Sequence, residues 1–113
     1  MVRRLLAVLG GLGALGTALW LSASPAKATA ASAEAGAELA ARWCAACHVV
    51  SPSGAGGTQG PSFPDIAARR TVAELRAFLA QPHAKPMSGF TLRPREVEDV
   101  AAYIGTLQQK AER

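Results

Sequence analysis

From Thr29 to Arg113 the chain holds too few large apolar residues to build an interior of its own. Five aromatics (Trp43, Phe63, Phe78, Phe90 and Tyr103), Met87 and twelve Leu, Ile or Val make eighteen in 85 residues. A single small domain of that kind is marginal without a staple such as disulfides, a metal or a cofactor. Its two cysteines allow at most one disulfide. Something other than side chains is therefore expected to fill the middle.

The count starts at Thr29 because the preceding residues read as a secretory signal. Met1-Val2-Arg3-Arg4 leads into an apolar run from Leu5 to Leu21 broken only by Thr17, and the small-residue site Ala26-Lys27-Ala28 follows. The competing reading is an uncleaved membrane anchor. At 17 residues the run sits between a signal core and a spanning helix. Gly10, Gly11, Gly13 and Gly16 weaken it as a helix, and the A-x-A site favours cleavage. The expected division is a signal peptide over 1–28 and one domain over 29–113, exported in either case. Heavy use of Ala, Gly and Arg suggests a bacterium, which makes the periplasm the expected compartment and limits membrane contact to an uncleaved leader.

Charge follows the same division. The whole chain carries 12 Lys and Arg against 8 Asp and Glu, a net +4 and a pI near 9.7. Arg3, Arg4 and Lys27 belong to the leader, which has no acid, so nine bases face eight acids in the remainder. A net +1 excludes nucleic-acid binding through a cationic patch.

Helical signals dominate the rest. Gly36, Leu39, Ala40 and Trp43 share one helical face between Glu34 and Trp43, with Ser32 as N-cap. Ser51 to Gly60 has four glycines and a proline and reads as a loop. Phe63 to Ala68 suits one short helical turn. Thr71-Val72-Ala73-Glu74 is a capping box that opens a helix with Val72, Leu75, Phe78 and Leu79 inward, ending near Ala80 because Pro82 follows. Gln81 to Leu92 is a proline-containing loop. A last helix runs from Pro94 to about Gln109, with Val97, Val100, Tyr103, Ile104 and Leu107 as its buried stripe. No segment alternates with period two. The predicted fold class is all-α, with three or four short helices.

Cys44-Ala45-Ala46-Cys47-His48 carries the chemistry. C-x-x-C-H is the attachment signature of c-type haem. Two thiols three positions apart lie on one side of a helical turn and reach the two vinyl groups of one porphyrin as thioethers. The next residue, His48, then presents its imidazole to the iron. A thioredoxin-like redox pair would need a strand before it and an α/β pattern, which are lacking. Zinc could draw on Cys44, Cys47, His48 and His83, but that reading leaves the export signal and Met87 unexplained. A disulfide across four residues closes too small a loop to stabilise much. One covalent haem c, with its iron, is the expected cofactor.

On these features residues 33–109 resemble the class I monohaem cytochromes c of bacteria. The ordered marks are a Gly/Leu helix running into Cys44-Ala45-Ala46-Cys47-His48, then Gly60-Pro61, a Met in a proline-containing loop, and the closing helix around Asp99-Val100-Ala101-Ala102-Tyr103-Ile104. The resemblance implies the cytochrome c fold, with the helices wrapped around the haem. It also implies that the Pro61 carbonyl accepts a hydrogen bond from the far nitrogen of His48. Gly36 would let the last helix cross close to the first, near Tyr103.

Met87, the domain's one methionine, lies in Pro86-Met87-Ser88-Gly89-Phe90 and is the expected sixth ligand opposite His48. A neutral thioether favours ferrous iron and raises the potential relative to a second histidine. His83 is the rival ligand and reads instead as a solvated loop residue. Two departures stand out. Ser88 follows Met87 where the family often has proline, and Arg93 leaves the last helix with a weak cap. Arg69-Arg70 suits either solvent or a haem propionate, and Trp43 either the core or the porphyrin edge.

The expected function is single-electron transfer between redox partners, namely a dehydrogenase, an oxidase or a respiratory complex, by transient docking. The chain is then a carrier and not an enzyme. Two alternatives stay open: a haem c sensor or catalytic domain with a displaceable sixth ligand, and a small electron-transfer subunit of a larger oxidoreductase.

Overall fold

The computed structural model describes residues 30–111 and 113, so the leader expected over 1–28 lies outside the described residues. Four α-helices follow one another: α1 Ala33–Leu39, α2 Phe63–Arg69, α3 Val72–Leu79 and α4 Pro94–Ala111. Among the described residues there is no strand, only an isolated antiparallel bridge between Val49 and Gly56.

Each helix starts where a side chain can satisfy its free amides. Ser32 Oγ accepts from the Ala35 amide at 3.1 Å and opens α1. Ser62 Oγ does the same for Asp65 at the head of α2, which runs two turns, longer than the single turn expected. At α3 both halves of the capping box form: Thr71 Oγ1 accepts from the Glu74 amide at 3.2 Å, and Glu74 accepts from the Thr71 amide at 2.7 Å. These two bonds hold the Glu74 carboxyl below its ordinary range. The weak cap expected at Arg93 is repaired from inside α4, where Glu96 reaches back to the Arg93 amide at 2.8 Å.

The first helix differs from its sequence reading. The chain leaves α-geometry after Leu39 and makes a π-helical turn over Ala40–Cys44, with the Ala45 amide bonded to the Ala40 carbonyl five residues back at 3.0 Å. The wider turn changes the angular step per residue. Trp43 therefore leaves the stripe that buries Gly36 and Ala40, and is 43% exposed.

Helix α4 is the axis of the molecule, and α1, α2 and α3 all pack against it. Val97, Val100, Ile104 and Leu107 are buried along it as predicted, with Ala101 beside them. The α1–α4 crossing is as close as a glycine permits. A Cβ on Gly36 would lie 2.9 Å from the Tyr103 Cβ and collide with the Asp99 backbone. Asp99 is buried at this crossing, where one carboxylate oxygen accepts from the Ser32 amide at 2.7 Å and pairs with Arg95 at 3.0 Å. Arg95 also donates to the Ala30 carbonyl at 2.7 Å, fixing the chain ahead of α1.

On the far side, Tyr103 donates to the Val50 carbonyl at 2.5 Å, and Gln108 donates to the Arg70 carbonyl between α2 and α3. Phe78, at the end of α3, faces the interior cavity together with Leu75 and Leu79.

Candidate functional site

The helices enclose one large cavity of about 570 Å³, within the size range of cofactor sites. Cys44, Cys47, His48, Pro61 and Met87 all line it. Its apolar walls come from α2, α3 and α4 and include Phe63, Ile66, Leu75, Leu79, Val100 and Ile104. A charged edge is formed by Asp65, Arg69, Arg70 and Glu74.

The attachment turn is shaped by backbone bonds. After the π turn, the Cys47 and His48 amides both bond to the Cys44 carbonyl, at 3.1 and 2.9 Å, which turns the chain sharply and buries His48. The glycine-rich loop then folds back over the turn, with Gly57 N–H on the Ala45 carbonyl at 2.7 Å and Gly60 N–H on the Cys47 carbonyl at 2.8 Å. This return path explains the loop's composition. Gly56 has φ +132° and its Cα abuts the His48 backbone, while a Cβ on Gly57 would strike the Ala46 carbonyl.

Gly60 matters most. A Cβ there would lie 2.7 Å from His48 Nδ1 and 2.9 Å from Nε2, and nearer still to Cε1. The bare glycine therefore lets the loop lie against the imidazole. The next residue supplies the contact that orients the ring: His48 Nδ1 donates to the Pro61 carbonyl at 2.6 Å. With Nδ1 so engaged, Nε2 is the nitrogen left for a metal. Phe63 backs the ring at a centroid distance of 5.5 Å.

Burial pushes the Cys44 thiol up to about 11. The two cysteines are unbridged, and Cys44 is not an activated redox thiol of the kind found at lowered pKa. Nor do the donors gather for zinc, since among the described residues no three His, Cys, Asp or Glu side chains form a metal-binding group. His83 does not line the cavity and stacks on Phe78, with centroids 4.8 Å apart.

Met87 reaches the cavity from the loop between α3 and α4. That loop is built of short turns, with the Met87 amide on the Ala84 carbonyl and the Phe90 amide on the Met87 carbonyl, both at 3.0 Å. Phe90 meets Trp43 edge to face at a centroid distance of 6.0 Å and an interplanar angle of 86°. Sequence reasoning did not identify the Trp43–Phe90 contact, the fit of Gly60 against His48, or the buried Asp99 at the α1–α4 crossing. The spacing of each residue was visible, but its partner was not.

The residues present fit a haem. Two thiols, an oriented imidazole and a thioether share an apolar cavity of suitable size, and the glycines leave room where side chains would intrude. An all-α cage of this kind is what a c-type haem protein requires. The comparisons agree. The family model described as Cytochrome c matches residues 33–108. Cytochrome c-552 of Bradyrhizobium diazoefficiens is 44% identical over 93 residues, covering 80% of this chain and 88% of that protein. No solved structure gives a significant match.

The chain belongs to the cytochrome c family. It is an electron-transfer c-type cytochrome with covalently bound haem c, and Cys44 and Cys47 fit the attachment motif. The family's role is to carry electrons to and from redox partners and is generally not enzymatic.

Proposed function

We propose that the protein is an exported, periplasmic single-electron carrier whose haem iron is held by His48 and Met87. Cys44 and Cys47 supply the thioether bonds, and the Pro61 carbonyl orients His48. The observation that carries this reading is the convergence of all five residues on one cavity, with His48 Nδ1 held at 2.6 Å from Pro61 O.

Haem iron, once bound, supplies the chemistry by cycling between the ferric and ferrous states. The chain's own residues supply the rest. The hydrogen bond to Pro61 fixes the His48 tautomer and raises its basicity, which favours the ferric state. Met87 as a soft neutral donor works the other way and favours the ferrous state. The apolar walls keep water from the site and keep its dielectric low. With His48 and Met87 both staying bound, little needs to move when an electron arrives. The leader over 1–28 is removed after Ala28, and the domain then works as a free carrier that docks briefly with a redox partner.

Visible spectra of the matured protein test this reading. Sharp ferrous α and β bands, a weak far-red ferric band from methionine–iron bonding, and no shift with carbon monoxide are expected. A high-spin spectrum that shifts readily with carbon monoxide would remove Met87 from the ligand set and favour a sensor or catalytic domain. Amino-terminal sequencing of the periplasmic fraction, expected to begin at Thr29, tests the leader.

A further inference from the structure

Trp43 is a large aromatic residue that lines the cavity in a protein short of core. It directly precedes Cys44, and the π turn brings it to the cavity rim. Its edge-to-face partner Phe90 closes the turn that begins at Met87, through the 3.0 Å bond from the Phe90 amide to the Met87 carbonyl. The pair joins two segments more than forty residues apart in sequence, one carrying the attachment cysteines and the other carrying the methionine. The loop has no helix or strand of its own near Met87 to hold it.

We infer that Trp43 and Phe90 form a rim clamp that positions Met87, with Trp43 acting as a positioning residue for the sixth ligand. This rests on the reading of Met87 as an iron ligand. Opening the sixth position requires the Met87 turn to swing away, and that motion must break the Trp43–Phe90 contact. Phe90 also packs against the core, so the clamp connects the rim to the interior. A contact made only in the closed state lowers the population of the open state, and with it the apparent affinity for any competing ligand.

The test is a double-mutant cycle on the haem-loaded ferric protein, read as the binding constant for imidazole. Trp43→Ala and Phe90→Ala should each raise imidazole affinity roughly two- to tenfold, the range set by an aromatic pair. The double variant should gain little beyond either single one. Trp43→Phe should restore much of the closed behaviour. Leu107→Ala, which destabilises α4 away from the cavity, should lower thermal stability without raising imidazole affinity. Additive effects of the two aromatic substitutions, or unchanged affinity in Trp43→Ala, would overturn the clamp. Met87→Ala separates the two ideas. If it leaves the far-red band and the imidazole affinity of the wild type unchanged, the ligand reading itself fails.

Discussion

Replacing Gly60 by alanine places a methyl group where the His48 ring now lies. The added Cβ would lie 2.7 Å from Nδ1, whereas non-bonded heavy atoms settle near 3.5 Å. Ring or loop must therefore give way by at least about 0.8 Å, and by more at Cε1, which the Cβ approaches more closely. The ring cannot turn freely, because Pro61 holds it at 2.6 Å and Phe63 packs against it. Overpacking of this kind costs about 1–3 kcal/mol, and a stretched hydrogen bond adds about 1 kcal/mol. The stiffer unfolded chain returns about 0.5 kcal/mol. The net loss of about 1.5–3.5 kcal/mol corresponds to a fall in Tm of roughly 6–28 °C for a domain this small. Thermal melts of haem-loaded wild type and Gly60→Ala measure it, and protein-film voltammetry adds the potential. Weakening the bond to Pro61 makes His48 a poorer electron donor, so the potential should rise. An unchanged Tm would refute the close packing. A lower Tm with an unmoved potential would mean that the loop absorbs the methyl and the ring keeps its place.

Other outcomes follow from the same geometry. Gly36→Ala should lower Tm by roughly 5–15 °C despite alanine's better helix propensity, because α1 and α4 must part to admit the methyl group; a thermal melt decides it. Tyr103→Phe should cost about 1 kcal/mol at neutral pH by removing the donor to the Val50 carbonyl, measured by urea denaturation. Burial raises the Tyr103 pKa above its ordinary 10.0. The protonated ring's contribution is therefore complete below pH 10 and fades as pH climbs through the folded value, and the gap between wild type and Tyr103→Phe should narrow there. The Cys44→Ala, Cys47→Ala double variant, left without covalent haem, should lose most of its helical circular dichroism, whereas native helix content would refute the thin-core argument.

What was legible in the sequence was whatever is local. Thr71 and Glu74 are three residues apart, and the helix they open is where the capping box put it. Pro94 and a period of three to four fixed α4. The C-x-x-C-H turn identified its chemistry by spacing alone. The misses came from effects that need a second segment or a change of helical pitch. Nothing local marks the π turn at Ala40–Cys44, which carries Trp43 off the Gly36–Ala40 face and onto the cavity, so the choice between core and porphyrin edge is not legible from periodicity. Ser62 and Glu96 both serve as caps, but neither stands in the full box pattern that made Thr71 recognisable. The resemblance to known cytochromes anticipated the Gly36 crossing, a long-range feature that periodicity cannot supply.

The Ser32–Asp99 bond joins residues 67 positions apart, and Gly36 meets α4 at the same place. The first helix thus has no seat until the last one exists. The chain is made from its amino end, and Cys44 and Cys47 appear well before Asp99. Over that interval no finished wall can close over the thiols. The cysteines are therefore open to whatever joins them to haem, and in a chain too short of core to fold without it, attachment comes before α1 docks on α4.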